Sequence, residues 1–169
     1  RCLQALGVPI ARAGGETTVG YVPRLQQPHD ALDCGNAGTT MRLLMGLLAG
    51  EPFAATLVGD ASLTRRPMRR VAEPLRRMGA SIELSDVGTA PVRIVGQEQL
   101  RACHVELPLA SAQVKSAIML AALRGTAAST GVDPFATRDH TERMLAWLDP
   151  SCIEWRPSGT GEWSRVIDL

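Results

Sequence analysis

Three arginines stand where the chain is expected to pass from strand to helix. Asp60-Ala61-Ser62-Leu63-Thr64-Arg65-Arg66-Pro67-Met68 puts two guanidinium groups at one such junction, and Thr137-Arg138-Asp139-His140 puts a third at another. A cation at a helix N-terminus opposes the helix dipole, and an anionic ligand is a physical reason for placing one there. Arginine's planar fork suits phosphate and carboxylate. Two stretches of small residues open helices: Gly35-Asn36-Ala37-Gly38-Thr39-Thr40 and Ala110-Ser111-Ala112-Gln113. Small side chains let a ligand reach the free backbone N–H groups of a helix start, where the dipole favours an anion. Taken singly, each feature has a plainer account: Asn36 and Ser111 as helix caps, the arginines as solvated charges. Recurrence at matching places along the chain favours the ligand.

Other candidates are weaker. Arg69, Arg70, Arg76 and Arg77 lie along one helix and read as its solvated face. Lys115 lies four residues after Ser111, so two readings stand open, a reach to the same ligand and a structural role. His140 beside Asp139 suggests a general base, although capping and packing are commoner at a helix start. His29 and His104 have no partner visible in the sequence. No nucleophile elbow, Walker loop or paired-carboxylate motif occurs. The cysteines Cys2, Cys34, Cys103 and Cys152 lack CxxC spacing, so neither a metal site nor a disulfide framework is expected, and a reducing cytoplasmic setting fits. The residues alone point to a domain that binds a small phosphorylated or carboxylated ligand.

The elements that must hold these residues recur. A helix end, a turn and two short strands follow one another three times. The first set is Cys2–Gly7, Val8–Arg12 and Thr17–Val22. The second is Val71–Gly79, Ala80–Leu84 and Pro91–Val95, and the third is Thr141–Leu148, Cys152–Trp155 and Arg165–Leu169. The turn positions Gly7, Gly79 and Asp149 are spaced by about 70 residues, a repeat of one supersecondary unit. Ahead of the second set the pattern predicts a helix at Asn36–Ala49, a strand at Ala54–Val58 and a helix at Arg65–Met78 with Pro67 in its first turn. Ahead of the third it predicts a strand ending at Val105–Leu107, a helix at Ser111–Leu123, a strand at Ala128–Val132 and a helix at Arg138–Leu148. The fold class is therefore α/β (α+β), built of β-α-β-α-β-β units. They occupy roughly residues 1–30, a unit without its front half, then 31–100 and 101–169, packed as one ligand-binding domain. SAQVKSAIMLAAL (111–123) is apolar over most of its circumference, which predicts helices gathered inside and sheets outside.

Composition narrows the partners. A net charge of +1 gives no bulk field to recruit nucleic acid or an anionic membrane, and aromatics at 4% argue against base stacking. Hydrophobic residues at 45% with 21% charged suit a globular domain, and the apolar run Leu43–Ala49 is too short to span a bilayer.

The motifs GNAGTTMRLL (35–44), GDASLTRRPM (59–68), LPLASAQVKSAIMLAAL (107–123) and TRDHTERML (137–145) resemble the 5-enolpyruvylshikimate-3-phosphate synthase family, within the enolpyruvyl transferases. They occur in family order over most of the chain, with wording closest to bacterial members. The resemblance implies transfer of the enolpyruvyl group of phosphoenolpyruvate to the 5-hydroxyl of shikimate 3-phosphate in the shikimate pathway, by addition and elimination, with no metal or organic cofactor. It implies that Ser111, Ala112 and Gln113, with Thr137 and Arg138, contact shikimate 3-phosphate. It implies that Gly38, Arg66, Asn36 and again Gln113 face phosphoenolpyruvate or the inhibitor glyphosate. By the same resemblance the acid–base groups belong to a second domain outside these residues, so no catalytic residue is expected here and the chain alone is expected to be inactive. Two alternatives are a UDP-N-acetylglucosamine enolpyruvyl transferase, which shares the fold, and a non-catalytic anion-binding repeat domain.

Overall fold

The computed structural model describes residues 1–155 and 162–166, the last five as backbone only. The chain opens with a short helix, α1 (Cys2–Ala5), then strands β1 (Ile10–Ala13) and β2 (Glu16–Val19). These two pair antiparallel around Gly14 and Gly15, whose φ values of 58° and 84° are what a two-residue hairpin loop requires.

Two larger units follow, with the same order of elements. The first runs β3 (Leu32–Asp33), α2 (Gly38–Ala49), β4 (Ala54–Val58), α3 (Arg69–Met78), β5 (Ser81–Glu83) and β6 (Val92–Val95). The second runs β7 (His104–Glu106), α4 (Ala112–Ala122), β8 (Ser129–Val132), α5 (His140–Leu148), β9 (Glu154–Trp155) and β10 (Glu162–Val166). Their sheets are ordered β3-β4-β6-β5 and β7-β8-β10-β9. In each, the first pair is parallel and the other two pairs are antiparallel. Neither is part of one continuous parallel sheet; the mixed α/β architecture is that of the predicted repeat.

Strands β5, β6 and β7 alternate buried and exposed residues, so each sheet turns one face to the helices and one to solvent. The helices fill the middle. α2 buries Met41, Leu44, Met45 and Leu48, α3 buries Val71, Ala72, Leu75 and Met78, and α4 is buried almost throughout. Gly46 makes the α2–α4 crossing close: a methyl built on it would lie 2.0 Å from the carbonyl oxygen of Ala117. Among the described residues no helix is long and apolar enough to cross a membrane.

Three expectations about local structure are corrected, and the three turn positions stand as predicted. The helix predicted from Arg65 is two pieces, a 3₁₀ turn at Leu63–Arg65 and α3 from Arg69. Arg66 between them is extended (φ −82°, ψ 135°), because the ring of Pro67 disfavours the helical region for the residue before it. The helix predicted from Arg138 begins at His140, leaving Arg138 in the preceding loop. Gly7 and Gly79 end their helices at positive φ (88° and 116°), whereas Asp149 is extended (φ −151°) and turns the chain by accepting from Ser151 N and Oγ at 2.8 and 2.7 Å. The last strand starts at Glu162, ahead of the predicted Arg165, and the final three residues of the predicted Arg165–Leu169 lie outside the described residues.

Candidate functional site

The first anion-binding candidate is assembled around Arg66. Asp60 ends the β4 connection and accepts backbone N–H groups from Ser62 (2.9 Å) and Leu63 (2.8 Å) on Oδ1. The Leu63 bond, foremost, holds its carboxyl below the ordinary range. Oδ2 of Asp60 accepts from the Asn36 amide at 2.9 Å, and Asn36 Oδ1 in turn accepts from Arg66 Nη2. Asn36 is therefore no helix cap: α2 has Ala37 at its N-cap position and no side-chain cap bond. Its amide relays the orientation of Asp60 to the guanidinium. Gly38, buried as the first residue of α2, leaves room beneath Arg66.

The second candidate is a cleft of about 220 Å³ between α2, α4 and α5, lined by Thr39, Leu43, Ala112, Gln113, Ser116, Arg138, His140 and Thr141. Ser111 caps α4 by accepting from Val114 N at 3.4 Å, and it lies just outside the lining. Ser116 and Thr141 share a 2.6 Å hydroxyl–hydroxyl bond across the α4–α5 gap. Arg138 is exposed at the cleft. Thr137, its neighbour, is turned away and donates both its N–H (2.9 Å) and its hydroxyl to Asp133. Asp139 makes no side-chain cap bond, and among the described residues no hydrogen bond joins it to His140, so an Asp–His general-base pair is not assembled here.

Gln113 joins the two candidates. Its Nε2 donates to Thr39 Oγ1 at 2.7 Å and its Oε1 accepts from Arg42 Nη1. Arg42, whose Nη2 also donates to the Pro67 carbonyl at 3.4 Å, is the residue that sequence reasoning missed. The signal was an arginine inside an otherwise apolar helix face, MRLLMGLL (41–48). Burial first, then the charges of Arg66 and Arg70, push the Arg42 guanidinium below its ordinary value. Among the described residues none of Arg42, Arg66, Arg70 and Arg138 forms a salt bridge. Arg66 feels the Asp60 carboxylate, but Arg42 is pressed by the like charges of Arg66 and Arg70, a setting that a bound anion would relieve.

Lys115 does not reach the cleft. It is buried, with Nζ 2.8 Å from Asp133 Oδ2 and 2.6 Å from Glu142 Oε1.

The chain matches the family model described as EPSP synthase (3-phosphoshikimate 1-carboxyvinyltransferase) over residues 1–150. It is 56% identical over 145 residues to a 3-phosphoshikimate 1-carboxyvinyltransferase of Halorhodospira halophila, covering 84% of this chain and 33% of that protein. To the protein of the same description from Anaeromyxobacter dehalogenans it is 49% identical over 168 residues, covering 94% of this chain and 38% of that one. The solved structure of EPSP synthase from Acinetobacter baumannii superposes with a TM-score of 0.88 at 43% identity, over 98% of this chain and 37% of that one. The chain thus spans about a third of the length of the curated relatives it matches.

Proposed function

We propose, since the chain belongs to the EPSP synthase family, that these residues are the substrate-binding part of an enzyme of the shikimate pathway. The reaction is transfer of the enolpyruvyl group of phosphoenolpyruvate to the 5-hydroxyl of shikimate 3-phosphate, with release of phosphate. What carries this reading is the arrangement of guanidiniums outside the salt bridges of the described residues in two groups, Arg66 with Arg42 and Arg138 across the cleft, tied together by Gln113. Two anionic substrates that must meet need two such groups and a contact between them.

In this reading Arg138, Ser111, Ala112 and Gln113 hold shikimate 3-phosphate, with Thr137 contributing through the loop it braces. Arg66, oriented by Asn36, holds the phosphoenolpyruvate anion above Gly38, and Gln113 touches both ligands. Charge-assisted bonds from a preset guanidinium fix an anion's position without a metal. Proton transfer is left to residues outside these 169, supplied by a second domain, and the work is done in the cytoplasm. The chain alone therefore binds without turning over, because general acid–base catalysis supplies about 10²–10⁴-fold that positioning cannot replace.

The test is calorimetric titration of the 169-residue chain with shikimate 3-phosphate. Binding is expected, and Arg138→Ala is expected to weaken it by about ten- to a hundredfold, the worth of one charged hydrogen bond. Unchanged binding in Arg138→Ala would remove the arginine from the site. Phosphate release at a rate typical of intact enzymes would refute the division of labour.

A further inference from the structure

The loop that carries Arg138 is held by a buried ion cluster. Between β8 and α5 the chain runs without regular structure from residue 133 to 139, and Ala136 takes a positive φ of 46° that a side chain disfavours. One carboxylate closes this loop. Asp133 accepts Phe135 N on Oδ1 at 3.2 Å, and Thr137 N at 2.9 Å together with the Thr137 hydroxyl on Oδ2. Its attachment to the rest of the protein is Lys115 Nζ, 2.8 Å from Oδ2. The same ammonium meets Glu142 Oε1 at 2.6 Å, one residue beyond the Thr141 that faces the cleft. The other oxygen of Glu142 is buried and has no hydrogen-bond partner among the described residues. Lys115, Asp133 and Glu142 are 2%, 0% and 1% exposed.

Such a cluster is a poor source of stability. Three charged groups give up their hydration, one carboxylate is left over, and apolar residues of similar volume often serve a fold as well or better. What it does supply is geometry. Lys115 sits on α4, two residues after Gln113 and four after Ser111; Asp133 sets the loop ahead of Arg138; Glu142 sets the first turn of α5.

We infer that Lys115, Asp133 and Glu142 are positioning residues for shikimate 3-phosphate, fixing Arg138, through its loop and the head of α5 that follows it, against Gln113 on α4. This rests on the reading of the cleft as the shikimate 3-phosphate site. The ammonium works as a hub: it ties one wall of the cleft to the other two pieces that complete it, and it never touches the ligand.

The experiment is a double-mutant cycle on the 169-residue chain, read as the dissociation constant of shikimate 3-phosphate by calorimetry. Asp133→Asn keeps the volume but faces the donors Lys115 and Thr137 with an amide, so it is expected to weaken binding about tenfold. If Asp133 acts through Arg138, the same change made in an Arg138→Ala background costs nothing more. Equal loss in both backgrounds means general loosening and overturns the inference, as does an Asp133→Asn affinity equal to wild type. Should circular dichroism show Asp133→Asn unfolded, Glu142→Gln enters the same cycle. It keeps an acceptor for Lys115 and is expected to lose affinity only while Arg138 is present; an affinity equal to wild type, or equal losses, overturns the inference. A wild-type chain that does not bind shikimate 3-phosphate overturns the ligand reading and the inference together. Loss on Arg138→Ala without the coupling overturns the inference alone.

Discussion

Gly38 lies directly beneath Arg66: a methyl built on it would sit 3.0 Å from Arg66 Nη1 and 3.3 Å from Arg42 Nη1. Gly38 has no need of glycine's unusual φ; what it gives is room. The methyl of Gly38→Ala therefore meets two guanidiniums before it meets any ligand, and one or both must give way by a few tenths of an ångström. Under the proposed function, this is expected to weaken the longer inhibitor glyphosate by about tenfold and phosphoenolpyruvate by less, within the usual cost of overpacking. Titration of wild-type and Gly38→Ala chains with each ligand is the measurement. Equal losses would mean that the effect runs through Arg66 alone and that Gly38 does not distinguish the ligands.

Arg42→Met separates binding from stability. Arg42 holds Gln113 but is itself half-buried among like charges. Its removal is expected to lower shikimate 3-phosphate affinity by about tenfold, one hydrogen bond to a charged group, while leaving the melting temperature unchanged or higher. A melting temperature that falls along with the affinity would show Arg42 to be a structural brace.

Gly46→Ala sets helix propensity against packing. Alanine favours a helix interior by about 1 kcal/mol over glycine. The added methyl would lie 2.0 Å from the Ala117 carbonyl oxygen and 2.7 Å from its carbon, both backbone atoms of α4 that cannot swing aside. Packing wins, and a net destabilisation of about 2 kcal/mol or more is expected. Urea unfolding followed by circular dichroism reads it directly; a midpoint at or above wild type would mean the helices part more easily than their burial implies.

Acid should unfold the chain partly through Asp133. Burial alone would raise its carboxyl, but hydrogen bonds from Lys115 and Thr137 and the Lys115 charge outweigh it and hold the group below its ordinary 3.8. A depressed folded-state value stabilises the fold above the unfolded value, and that contribution is lost as pH falls from about 3.8 through the lower folded one. Urea midpoints measured from pH 5 downward are expected to fall less steeply for Asp133→Asn than for wild type. Parallel slopes would rule out Asp133 as a contributor.

Much of the fold was legible because its signals are local. β4 occupies the predicted Ala54–Val58, and α4 falls within the predicted Ser111–Leu123, because alternation and an apolar circumference are set by neighbours in the chain. The break at Arg66 is also local, because the ring of Pro67 restricts the residue before it and so marks a stop rather than the first turn of a continuous helix. For the site, small-residue helix starts marked the stretches that hold Gly38 and Gln113, and strand-to-helix junctions marked Arg66 and Arg138, but not how these residues are held.

The sequence by itself determined the repeat, the buried helices and the family, since periodicity and motif wording are properties of contiguous residues. Only the tertiary structure decided which polar group answers which. Asn36 meets Asp60 across 24 residues, Lys115 meets Asp133 across 18, and Arg42 meets Gln113 across 71. A hydrogen bond is fixed by distance and direction in space, and nothing in the local pattern around Lys115 says whether its ammonium turns outward to an anion or inward to two carboxylates. That choice follows from where β8 and α5 come to rest against α4, which is a property of the packed fold.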